Sequence, residues 1–170
     1  GRLSEECQTN LDRLKTCGSV YFTEISTQFD PPTLTENHVV IDGLFGSGLN
    51  KPLNGGFAAV VKYINASKAQ VVAIDIPSGL MGEDNTYNVR PNILRADVTL
   101  SIQLPKLSFL FPENEDIVGD WELLDIGLKQ SFIDTAASVY SIIEEADIRS
   151  LIKPRKRFAH KGTFGHGLLI

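Results

Sequence analysis

Two short runs set the limits on what this chain can become. "HVVIDGLF" (38–45) and "QVVAIDIP" (70–77) are compact, rich in β-branched residues and lack polar alternation. Runs of that kind read as strands buried on both faces, which belong to parallel sheets. Between them, "GGFAAVVKYINAS" places Phe57, Val60, Val61 and Ile64 at i, i+3, i+4 and i+7, the pattern of an amphipathic helix. A parallel pair needs such a crossover. "ADVTLSI" and "DWELLDIGL" read as two more strands. The expected class is therefore α/β: a Rossmann-like three-layer α/β/α sandwich, present in part, over residues 1–137.

The flanks read differently. "LSEECQTNLDRLKTCG" has Leu3, Cys7, Leu11 and Leu14 at helical spacing, with Ser4 to cap the start and Gly18 to stop it. "SVYFTEI" (19–25) alternates like a short strand. From about Ser138, "SVYSIIEEADIRSLIKP" suggests a short strand and then a helix using Ile148, Leu151 and Ile152, ended at Lys153-Pro154. "HKGTFGHGLLI" is a glycine-bearing loop entering an apolar run. It reads as the first strand of a second domain, 138–170, so the chain is expected to be a segment that stops inside that domain.

Lys153, Arg155, Lys156, Arg157 and Lys161 make a basic cluster in a chain of net charge −5. Its shortness and its Pro154 suit a solvated linker, and the acidic remainder argues against a nucleic-acid partner. No stretch nears the roughly 18 apolar residues of a membrane span, and the polar opening "GRLSEECQTN" is no signal peptide. Cys7 and Cys17 do not make a secreted disulfide scaffold and are expected as buried or half-buried reduced thiols. A soluble cytoplasmic protein is expected.

Ligands of open parallel sheets sit outside the carboxyl ends of the strands. "VVID", "VAID" and "ELLD" each bring an aspartate there: Asp42, Asp75 and Asp125. A buried Asp42 needs hydrogen bonds or a cation, so it either braces its loop or ligates. Asp75 stands in "IDIPSG", where Pro77 leaves the sheet, Ser78 offers an oxygen and Gly79 allows unusual dihedrals. A general acid or base there would gain from a pKa moved toward neutrality by partial burial; the alternative is a turn brace. The loop Gly46-Ser47-Gly48-Leu49-Asn50-Lys51-Pro52 suits an anion through successive backbone N–H groups, or is a plain turn. It lacks the third glycine of G-x-G-x-x-G. Lys106 follows the third strand and can reach the same edge, although its position reads first as an ordinary surface lysine. His38, His160 and His166 have no zinc-ligand spacing.

Together "VVIDGLFGSGLNKPLNGGFAAVVKYIN", "VVAIDIPSGL" and "ADVTLSIQLPK" with "GDWELLDIG" resemble the second half of the NAD(P)HX epimerase domain, whose animal relative is the apolipoprotein A-I-binding protein. "LIKPRKRFAHKGTFGHGLLI" resembles the opening of the ribokinase-like NAD(P)HX dehydratase domain. In bacteria the two are commonly fused in a bifunctional NAD(P)H-hydrate repair enzyme. The resemblance implies that residues 46–52 wrap the hydrated dinucleotide, that Asp42 and Ser78 ligate K+, and that Asp75 binds substrate near the reacting ring and is the catalytic candidate. It implies ADP or ATP with Mg2+ for the dehydratase part, NAD(P)HX as the small-molecule partner, and a homo-oligomer. The family's N-N-G-G-D loop has no counterpart here, so the segment alone is expected to be inactive. Two other readings remain: a non-catalytic binding module, and a ribokinase-like small-molecule kinase. A Rossmann dehydrogenase is disfavoured by the missing fingerprint.

Overall fold

The computed structural model describes residues 3–25, 29–152 and 154–169. The chain divides into two compact units, Gly1–Leu128 and Lys129–Ile170.

In the first unit, α1 (Glu5–Thr16) begins as its sequence requires. The Cys7 N–H donates to Ser4 Oγ at 3.2 Å, and Gly18 follows the helix at φ +57°. It buries none of its residues. The sheet comes next: β1 (Val39–Asp42), α2 (Gly55–Asn65), β2 (Gln70–Ile74), β3 (Val98–Ile102), α3 (Glu115–Val118) and β4 (Asp120–Leu124). Its four strands lie in the order β1-β2-β3-β4 with every pair parallel. This is an α/β fold, and the parallel sheet stands where the apolar runs put it.

Alternation along the strands sends Val40, Val71 and Ala73 to one face, where α2 covers them with Val61 and Ile64. Leu53, Leu94 and Ala96 complete that core. Each fully buried aliphatic side chain of this size contributes roughly 1.5–3 kcal/mol. A second cluster, Ile76, Leu80, Ile93, Phe109, Ile117 and Val118, locks the segment after β2 to the segment after β3. It thereby anchors "IDIPSG", the stretch that carries both Asp75 and Ser78.

The expected third layer is not complete among the described residues. On the opposite face of β1, Val39 and Ile41 are 58% and 62% exposed. The sheet is built for two covers and α2 supplies one.

Several local expectations differ from the structure. Residues 19–25 form no strand, and Tyr21 is fully exposed, with no strand paired to this segment among the described residues. The second unit by itself contains α4 (Gln130–Thr135), which the sequence pattern did not suggest, and α5 (Glu145–Leu151). The Glu144 N–H donates to Asp147 Oδ2 at 2.9 Å where α5 starts. Neither "SVYSII" nor 165–169 is a strand. β-propensity alone does not hold a strand that lacks a neighbour, and the described residues of this unit offer none. The thiols of Cys7 and Cys17 are free but exposed, not buried, because α1 presents no face to a core. No described helix is long and apolar enough to cross a membrane.

Candidate functional site

The site is assembled from three neighbouring strand ends. Parallel register brings the last residue of β1, Asp42, opposite Ala73 of β2, so the turn after β2 emerges beside it. Asp42 is buried, and Ser78 answers it twice. The Ser78 N–H donates to Oδ2 and the Ser78 hydroxyl donates to Oδ1, both at 2.7 Å. The Leu44 N–H adds a third bond to Oδ1 at 3.2 Å. Ser78 Oγ in turn accepts the Phe45 N–H at 3.0 Å. The two residues thus lace the loop after β1 to the turn after β2.

Among the described residues, no ion pair reaches Asp42. Its carboxylate, on a residue only 3% exposed, is met by neutral donors alone. Oδ1 accepts two of these bonds, whereas Oδ2 and Ser78 Oγ accept one each and keep a lone pair. Carboxylate and hydroxyl oxygens are hard donors suited to hard cations. In donor chemistry the pair fits a cation such as K+. No group of three or more His, Cys, Asp or Glu side chains that could hold a metal occurs among the described residues.

Asp75 lies just past β2 in the left-handed region, at φ +70°, one of two described non-glycine residues there. The other, Gln103, ends β3 in the same way at φ +60°. Asp75 Oδ2 accepts the Ser47 N–H at 2.8 Å, and Oδ1 meets Lys106 Nζ at 2.7 Å. Burial pushes the carboxyl up, toward the neutral range a general acid would use. The hydrogen bonds from Lys106 and the Ser47 N–H, with the charge of Lys106, outweigh it and hold the group below its ordinary value. Asp75 therefore stands as an anion at neutral pH.

The glycine loop folds back onto this carboxylate. A Cβ on Gly46 would lie 3.0 Å from Asp75 Oδ2, a tight contact that the carboxylate would have to shift to admit. Nothing lies within 4 Å of the corresponding point on Gly48. The expected row of free N–H groups is shortened: Ser47 gives its own to Asp75, and Leu49 gives its own to the Gly46 carbonyl at 3.2 Å. Leu49 packs against the core, Asn50 and Lys51 are exposed, and Pro52 is half-buried.

Of the three strand-end aspartates, Asp42 and Asp75 join the two ends of one loop, residues 42 to 47, through Ser78 and Ser47. Asp125 serves its own turn, accepting the Gly127 N–H at 2.8 Å. Lys106 is no surface lysine: its side chain is 14% exposed and bonded on all sides. Its signal in the sequence was its place, a Pro-Lys pair just beyond a strand adjacent to the one carrying Asp75.

The chain has sequence relatives along much of its length. A protein from Thermofilum pendens named as a bifunctional NAD(P)H-hydrate repair enzyme Nnr is 33% identical over 132 residues, covering 78% of this chain and 24% of that relative. A protein from Limosilactobacillus fermentum named NAD(P)H-hydrate epimerase is 32% identical over 98 residues, 58% of this chain and 46% of its own. Another of that name from Lentilactobacillus buchneri is 38% identical over 89 residues, 52% and 40% respectively. The chain thus spans less than half the length of these curated relatives. Residues 1–108, well over half of the chain, match the model of the YjeF-related protein N-terminus, and the chain belongs to that family.

Proposed function

We propose that this chain is part of an NAD(P)HX epimerase, interconverting the R and S forms of NAD(P)H hydrated at C6 of the nicotinamide ring. One observation carries the reading: Asp75, ionised and gripped between Lys106 and the Ser47 N–H, stands at the carboxyl edge of a parallel sheet under a glycine loop. The names of the relatives support the same activity.

The chemistry asks for little machinery. The ring nitrogen's lone pair expels the C6 hydroxyl, leaving a planar iminium cation. Water then adds at C6 from either face and loses a proton, which resets the centre in R or S. Loss of hydroxide and return of water balance once one proton is taken up and one released. The Asp75 carboxylate, a fixed negative charge, stabilises the cation as it develops. It also accepts the proton released by the adding water and passes it on to solvent, which restores the carboxylate. As Asp75 rests deprotonated, the proton that turns the departing hydroxide into water comes from solvent.

In the same reading, residues 46–52 contact the dinucleotide, and Asp42 and Ser78 hold K+. The ion, when bound, supplies positive charge beside a buried carboxylate. A separate activity, ADP- or ATP-dependent dehydration of the S form, rests on the resemblance of the tail alone.

The test is epimerisation of R-NADPHX by the full-length protein, followed by chromatography, with and without potassium. The expected result is rapid R-to-S conversion, and a kcat about 10²–10³-fold lower for Asp75→Asn. Near-full activity of that variant would end the assignment of Asp75. Binding without conversion would move the protein to a non-catalytic binding module.

A further inference from the structure

Lys106 lies four residues past β3, and its ammonium has three protons for four acceptors. These are Asp75 Oδ1 at 2.7 Å, Ser101 Oγ at 3.2 Å, and the carbonyls of Ile102 at 3.2 Å and Leu104 at 3.1 Å. The bracket is preassembled, because buried Ser101 donates its own hydroxyl to the Leu104 carbonyl at 3.0 Å. A lysine that merely covers surface keeps its head in water; this one has exchanged water for fixed partners. Asp75 is the charged member among them. On its far side, Asp75 Oδ2 takes the Ser47 N–H, and the missing side chain of Gly46 leaves room for that contact.

We propose that Lys106 is the positioning residue of this site. It pins the Asp75 carboxylate in the orientation that receives Ser47, so that the end of β3, the end of β2 and the loop after β1 act as one unit. With its protons committed, Lys106 donates nothing to substrate and acts through Asp75. The catalytic consequence rests on the epimerase reading, whereas the clamp itself does not.

The experiment uses the full-length protein as Lys106→Met, Lys106→Gln and Lys106→Arg, with two readouts. The first is the titration of the Asp75 carboxyl carbon by NMR, its signal assigned by loss in Asp75→Asn. The midpoint is expected to rise in Lys106→Met and to stay low in Lys106→Arg, which keeps the charge. The second is epimerisation of R-NADPHX. Lys106→Met is expected to lower kcat about 100-fold with KM changed less than about threefold, and Lys106→Arg to recover most of the loss. If Lys106→Met does not fold, Lys106→Gln carries the same two measurements. An unchanged midpoint in a folded neutral variant overturns the clamp, as does wild-type kcat in that variant. A midpoint that moves, in a protein whose wild type leaves R-NADPHX unconverted, supports the clamp and ends the epimerase reading.

Discussion

Asp42 braces its loop in the structure, and the cation role proposed for it is a separate matter. It accepts from the Ser78 N–H, the Ser78 hydroxyl and the Leu44 N–H, so Asp42→Ala leaves several donors without a partner. The expected loss is on the order of 3 kcal/mol, at about 1–3 kcal/mol per orphaned buried group, read from urea unfolding. The proposed cation role is tested separately. At equal ionic strength, KCl should raise the Tm of the wild type above its value in NaCl through selective binding to the folded state, and Asp42→Ala should erase the difference. Equal Tm values in the two salts would leave Asp42 as a loop brace. The glycines separate in the same manner. Gly46→Ala sets a methyl 3.0 Å from Asp75 Oδ2, the movable end of a side chain, whereas Gly48→Ala meets open space. Stability should change by less than about 1 kcal/mol in both. If Asp75 is catalytic as proposed, turnover should fall about tenfold or more in Gly46→Ala only, since small displacements of a catalytic group are costly. Spacing within the sequence ranks the two glycines alike; only the fold sets them apart.

At the scale of elements, the turn after β2 is held rigid from several sides. Ile76 and Leu80 are buried on either side of it, and the Leu94 N–H donates to the Ser78 carbonyl at 2.9 Å. Gly79, at φ +99°, passes so close to the Asn92 carbonyl that a Cβ would lie 2.5 Å from its oxygen. That contact is backbone against backbone and has no soft end to yield. Gly79→Ala should therefore destabilise by more than about 3 kcal/mol, measured by thermal or urea unfolding, and should disturb Ser78 with it. "IDIPSG" was readable as a turn that leaves the sheet, because Pro77 and Gly79 have few other uses at a strand end. That the turn would answer Asp42 rather than solvent was not readable, since the two lie 36 residues apart. Strand expectations failed where the described residues offer no neighbour: local pattern marks 19–25 and 138–143 as suitable for a sheet, but pairing requires a second chain segment in reach.

For the molecule as a whole, the Asp75–Lys106 pair sets a pH dependence. A carboxyl held below its ordinary value in the folded state favours folding above the unfolded pKa of about 3.9 and loses that contribution as the pH falls through the lower folded value. The urea midpoint of wild type minus that of Asp75→Asn should be constant above about pH 5 and shrink below about pH 4. A difference that grows on acidification would contradict the ion pair. Two exposed carboxyls add to the same window: Glu6, held low by its helix-start N–H and Ser4, and Asp84, held low by Thr86. Local pattern was enough to set the parallel α/β sheet, its crossover helix and the edge at which a site would form. Those follow from periodicity and from glycine, proline and aspartate placed at strand ends, and each is a property of a short stretch of chain. Which strand-end aspartate ionises against a lysine, which one is satisfied by a serine and which serves its own turn became visible only in the folded molecule. Those outcomes depend on the register between strands and on distances between segments far apart in the chain, and no local pattern encodes either.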